Sequence, residues 1–125
     1  MSSSTIEDWS GTSVLLIPHD GPTLSTIADA TDMIGDAMYA QVDWVVLPAD
    51  RLSDDFFHLR TRMAGEVTQK YVNYRLRLAI VGDIDAHLEA SNALRDFARE
   101  CNRGRQIWFM PDLATMRTKL AETAA

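Results

Sequence analysis

The chain has 125 residues, 46% of them apolar, which is enough for one hydrophobic core. Eighteen acidic residues against twelve basic ones give a net charge of −6. That balance argues against broad nucleic-acid binding, which draws its affinity from neutralising phosphates, and against attachment to an acidic membrane surface.

Cys101 is the lone cysteine, so no intrachain disulfide can form, and the expectation is a reducing, cytoplasmic setting. The stretch MSSSTIEDWS lacks the basic start and apolar run of a signal peptide, and no apolar run approaches the ~18 residues of a membrane span. Residues 1–12 read as an N-terminal segment with the first strand of a hairpin, and residues 13–125 as a single α/β domain, one domain overall. Within the hairpin, Ile6–Trp9 and Thr12–Ile17 flank the turn residues Ser10-Gly11.

From there, four short apolar runs rich in Val, Ile and Leu alternate with segments of period near 3.6. The runs are Val14–Ile17, Trp44–Leu47, Leu76–Val81 and Gln106–Met110, and they read as strands buried on both faces. The order predicts a mainly parallel sheet of four to five strands with about four helices packed on it, the hairpin adding an antiparallel edge. The first helix is expected to begin at Pro22, with Leu24, Ile27, Ala28, Thr31, Ile34 and Met38 as its apolar face. In the second, Met63, Val67, Tyr71 and Tyr74 fall on one face, and Gly65 suggests close approach of another backbone. The third has Ser91 as N-cap, Leu94, Phe97, Ala98 and Cys101 as its stripe, and Gly104 where a left-handed C-cap would fall. The last, Leu113 to about Glu122, has Asp112 as cap and Met116 and Leu120 turned inward.

Two polar arrays remain. Glu66, Gln69 and Asn73 recur at spacings of three and four beside the buried face of the second helix. They read either as a solvated edge, with Glu66–Lys70 as an ion pair, or as a partner surface. Arg95, Arg99, Arg103 and Arg105 form a basic ridge on an acidic protein, either paired internally with Glu66, Asp96 and Glu100 or open to an acidic partner or phosphate.

No Gly-rich phosphate loop, paired cysteines, HExxH or GxSxG is present, so no catalytic residue, cofactor or metal is assigned. A ligand in an open α/β sheet would lie beyond the carboxyl ends of the strands. The chain places His19-Asp20, Asp50, Gly82-Asp83 and Pro111-Asp112 there, so His19, Asp20, Asp50 and Asp83 are the alternative ligand-binding set. Aspartate is also the ordinary helix cap after a strand, which accounts for Asp112. His58 and His87 stand outside any ligand-like spacing.

The blocks DDFFHLRTRMAGEVTQKYVNYRLRLAIVGD and SNALRDFARECNRGRQIWF resemble the bacterial domain-of-unknown-function family 4180, from about Ser13 to Leu120. The hairpin followed by α/β alternation, with Leu59-Arg60-Thr61-Arg62-Met63, resembles more distantly the STAS domains of anti-sigma-factor antagonists. That second resemblance implies a regulatory fold in which a serine or threonine at a helix start is phosphorylated to switch partner binding. Thr61 falls near that place, though the Asp-Ser-Ser-Gly pattern is missing. The expectation is therefore a non-enzymatic, STAS-like interaction domain with a protein partner or as a homodimer. Its contacts would run through Thr61, Glu66, Gln69, Asn73, Arg95, Arg99 and Arg103. The alternative is a small-ligand-binding protein or enzyme with an acidic site at the strand ends.

Overall fold

A computed structural model describes residues 4–124. The hairpin is formed by β1 (Thr5–Trp9) and β2 (Thr12–Leu16), joined through Ser10 and Gly11, both at positive φ, as a two-residue mirror-image turn requires. There follow α1 (Ile27–Ala40), β3 (Trp44–Pro48), α2 (Asp54–Phe57), α3 (Met63–Asn73), β4 (Arg77–Val81), α4 (Asp85–Ala90), α5 (Asn92–Arg103), β5 (Ile107–Met110) and α6 (Leu113–Ala124). Short 3₁₀ turns at Ala49–Arg51 and Leu59–Thr61 flank α2.

The five strands lie in chain order, β1-β2-β3-β4-β5. β1 pairs antiparallel with β2 and the remaining neighbours pair in parallel, so the sheet is mixed rather than mainly parallel. Because the strands advance in one direction, the crossover segments stack on the same face. Leu15, Val45, Leu47, Leu78, Ile80, Ile107 and Phe109 meet α1 through Ile34, α3 through Val67 and Tyr71, and α5 through Leu94. The alternate residues, Val14, Trp44, Val46, Ala79, Trp108 and Met110, form a second core under α6, with Met116, Leu120 and Trp9.

Among the described residues the helices number six rather than about four, because α2 and α4 span four and six residues and carry too few turns to show a period. α1 starts at Ile27, not Pro22: Thr26 and Asp29 form a reciprocal capping box, while Leu24 lies ahead of the helix in a bridge to Leu52. That later start turns Ala30, Ile34 and Ala37 inward and leaves Ala28, Thr31 and Met38 exposed. Tyr74, at the C-cap of α3, is half exposed rather than core. Gly65 has open space around its α-carbon, so no neighbouring backbone explains it. Gly104 is extended, not left-handed, and its carbonyl accepts the Trp108 indole N–H at 2.8 Å. Ser91 and Asp112 cap as expected, accepting from Leu94 N–H at 3.1 Å and Thr115 N–H at 2.7 Å.

Candidate functional site

Three segments leaving the carboxyl ends of β2, β3 and β4 build one open cleft of about 390 Å³. His19 comes from the first, Asp50 from the second and Asp83 from the third, so the fold brings together three of the four residues of the ligand-binding alternative. Gly82 allows this convergence: its φ is +148°, and a Cβ there would sit 3.0 Å from that of Ala49. Asp83 Oδ1 accepts the Asp85 N–H at 3.0 Å, so part of its capacity is spent starting α4. Asp20 lines a different cleft, of about 560 Å³, with Leu15, Ile17, Met33, Asp36 and Arg51.

Two further side chains reach the first cleft that strand-end reasoning misses. Asp54 opens α2, and the His87 ring of α4 stacks on Phe57 at 4.3 Å between centroids. The signal for His87 lies in its place one turn after Asp83, legible only once a helix is known to start there. His58 is exposed beside an adjoining cleft that His87 also lines. Among the described residues, no group of three or more His, Cys, Asp or Glu is arranged to hold a metal ion.

The sheet order explains why these clefts are open. A deep crevice in a doubly wound sheet arises where strand order reverses and helices pass to opposite faces. Here β2 to β5 run without reversal, so there is no switch point, and the carboxyl edge is bordered by turns and by the short helices α2 and α4.

The interaction candidates fall on α3, on the turn before it and on α5. Thr61 ends the 3₁₀ turn before α3, where its hydroxyl donates to the carbonyls of Asp55 (2.7 Å) and His58 (2.8 Å) and accepts the Met63 N–H at 3.3 Å. Along exposed α3, Gln69 Nε2 donates to Asn73 Oδ1 at 2.9 Å, and the expected Glu66–Lys70 ion pair is not formed. On α5, Arg99 lies 3.7 Å from Asp96 and Arg103 lies 2.8 Å from Glu100, all exposed, while Arg95 donates to the Leu88 carbonyl at 3.1 Å. None of these arginines pairs with Glu66. α3 packs against α1, and among the described residues no hydrogen bond or ion pair joins the polar stripe to the arginine ridge. Burial, with a smaller push from Glu100, raises the Cys101 thiol to about 11, and the side chain packs against the helical-face core.

The family model described as "Domain of unknown function (DUF4180)" matches residues 9–120. The chain belongs to this family, in agreement with the resemblance of its two sequence blocks. No curated protein and no solved structure matches it. Among the described residues, no helix is long and apolar enough to cross a membrane.

Proposed function

We propose that the protein is a non-enzymatic, STAS-like regulatory or protein-interaction domain of the bacterial cytoplasm, acting through the start and outer face of α3. The observation that carries this reading is that the fold leaves the α3 stripe unused. Among the described residues Glu66 makes no ion pair, the side chains of Gln69 and Asn73 bond only to each other, and all three are exposed beside the Thr61 turn. A phosphate on Thr61 would remove the hydroxyl proton shared by Asp55 and His58, and would place close to two negative charges beside exposed Arg60 and Arg62. Such a change would rebuild the helix start next to the stripe. The arginine ridge of α5 is the second contact face, since its ion pairs are exposed and exchange readily with an acidic partner.

The test is Gln69→Lys, followed by sedimentation and thermal melts. Weakened self-association or partner capture with an unchanged melt supports the reading, because an unpaired charge would have to be desolvated at the contact. Assembly unchanged by Gln69→Lys and by Thr61→Glu would overturn it.

A second reading is favoured by one observation, the convergence of His19, Asp50 and Asp83 with Asp54 and His87 on a single cleft. It takes the protein as a small-ligand binder at the strand ends. Stabilisation by a cationic or hydrogen-bonding small molecule that is lost in Asp50→Asn would select this reading over the first. Millimolar magnesium alone is expected to leave the melt unchanged.

A further inference from the structure

The two edges of the sheet are finished differently. At the β5 edge, the side chain of Asn102 from α5 lies against the strand like a short backbone: its Oδ1 accepts the Phe109 N–H at 2.7 Å and its Nδ2 donates to the Phe109 carbonyl at 3.2 Å. Both outward hydrogen-bonding groups of that residue are taken. Native sheets commonly block their edges in such ways, because an open edge is a template for another strand.

Among the described residues, the β1 edge carries no such plug. Its two-residue mirror-image turn makes Trp9 and Thr12 a pair that exchanges both hydrogen bonds, and antiparallel alternation repeats this at Glu7↔Val14 and Thr5↔Leu16. The N–H and C=O groups of Ile6 and Asp8 therefore point away from β2, and among the described residues β1 has no other strand neighbour. The Ile6 side chain, opposite Leu15, is 56% exposed on the helical face, because the first crossover helix lies between β2 and β3 and no helix covers β1 there. Beside it runs the 560 Å³ cleft floored by Leu15, Ile17 and Met33 and rimmed by Asp20 and Asp36.

Charge selects the occupant. The first 50 residues carry eight aspartates and glutamates and no lysine or arginine, and all twelve basic residues lie from Arg51 onward. With strands in chain order, the β1 side of the sheet inherits this acidic half. Two cations reach this side and offset it only in part. Arg51 lines the same cleft as Asp20 and Asp36, with Nε on the Pro22 carbonyl at 2.9 Å and Nη1 on the Pro18 carbonyl at 2.8 Å, and Arg117 lies on the opposite face over Trp9, so the charge offered to a partner is the excess of Asp8, Asp20 and Asp36 over one guanidinium. A second copy fits poorly, since two β1 edges would bring two acidic halves together and its β5 edge is plugged by Asn102.

We propose that β1 is a docking edge for an extended, lysine- or arginine-bearing segment of a partner protein, which adds as a sixth strand and sets apolar side chains over Ile6 and the neighbouring cleft. Backbone bonds to Ile6 and Asp8 hold the strand, and the acidic rim selects its charge. This surface is distinct from the α3 and α5 faces, so it stands or falls apart from the function proposed above.

The probe is an acetylated, amidated heptapeptide of alternating lysine and valine, titrated into the full chain and followed by calorimetry and amide NMR. Three controls accompany it: the glutamate–valine counterpart, a lysine peptide N-methylated at alternate residues, and the variants Ile6→Pro and Asp36→Arg. The expected result is binding of the lysine peptide that weakens with salt, with shifts centred on Ile6 and Asp8. N-methylation should reduce affinity by about tenfold, the equivalent of one or two hydrogen bonds of about 1 kcal/mol. Ile6→Pro should abolish binding, and Asp36→Arg, which leaves β1 untouched, should weaken it several-fold even if the proline variant fails to fold. Absence of binding, equal binding of the glutamate or N-methylated peptide, or binding indifferent to Asp36→Arg overturns the proposal. So does a wild-type dimer that Ile6→Pro dissolves, which would assign the edge to a second copy.

Discussion

The two faces of this sheet solve the same burial problem with different materials. The helical face is covered by α1, α3 and α5 and filled mostly with Leu, Ile, Val and Ala, with Phe56 and Tyr71 as its large fully buried rings. The opposite face has one helix, α6, and holds every tryptophan of the chain. Trp44 and Trp108 lie 4.5 Å apart between centroids, and a cation stands over each of the three rings: Arg77 over Trp44, Arg117 over Trp9 and Lys119 over Trp108. An indole buries more apolar surface than an aliphatic side chain, so three of them let a single helix close a face that elsewhere takes three. The cations extend the lid, since their stems cover ring surface while their charges stay near water.

This contrast sets an order of mutational effects. Tyr71→Ala, at 1% exposure on the helical face, should destabilise by about 3–5 kcal/mol, as large-to-small changes in a closed core do. Met116→Ala should cost about 2–4 kcal/mol, and because Met116 and Leu120 are the buried residues that seat α6, tryptophan fluorescence should change even below the melt. If α6 loosens with no spectral change, the single-lid description of that face is wrong. Phe97, only half buried, should lose less than Tyr71 on truncation to alanine.

The two stacked tryptophans give a finer comparison. Trp108 Nε1 donates to the Gly104 carbonyl at 2.8 Å, whereas Trp44 Nε1 is buried with no hydrogen-bond partner among the described residues. Trp108→Phe should therefore cost about 1–2 kcal/mol from the orphaned carbonyl and lost area. Trp44→Phe should cost markedly less, because it also removes a buried unsatisfied donor. Equal losses in denaturant melts would mean that Trp44 finds a partner in solution.

Sequence reasoning reached the elements whose signals are local. The apolar runs marked β2 to β5, Ser10-Gly11 marked the hairpin, and Ser91 and Asp112 marked two helix starts. It reached the site only in part, placing His19, Asp50 and Asp83 at strand ends that do converge, while Asp20 went to a neighbouring cleft. What it missed depends on tertiary arrangement. No run of residues reports that strands lie in chain order, that α6 crosses to the other face, or that Asn102 will mimic a strand for Phe109. Arg51 reads as surface from its charge and is 9% exposed, because two proline carbonyls and the bare α-carbon of Gly21 enclose its guanidinium. The α1 stripe shifted because a capping box at Thr26 outweighed Pro22 as a start signal, and that competition is decided by where the chain must turn after β2.

The smallest expected effect concerns the caps that start a helix on each face. Asp29 begins α1 and its carboxyl is held below the usual range, chiefly by the Ser25 N–H. Asp112 begins α6 and is likewise lowered, chiefly by the Thr115 N–H. Each folded-state value lies below the unfolded one of about 3.9, so each cap contributes stability that is present above that pH and is lost as pH falls through the folded value. Acid should thus weaken both caps, but with unequal result. α1 is locked between β2, β3 and α3, whereas α6 is held by its two inward residues, by Arg117 over Trp9 and by its lysine, whose Nζ donates to the Asn102 carbonyl at 2.7 Å. Lowering the pH from 5 to 3 should therefore shift tryptophan emission, which reports the α6 face, before helical circular dichroism falls. Asp112→Asn keeps a good cap without the titrating charge, so it should remove much of that early shift, and Asp29→Asn should leave it in place. If both variants behave alike, the two faces are equally tied down and the single-helix face is not the weaker one.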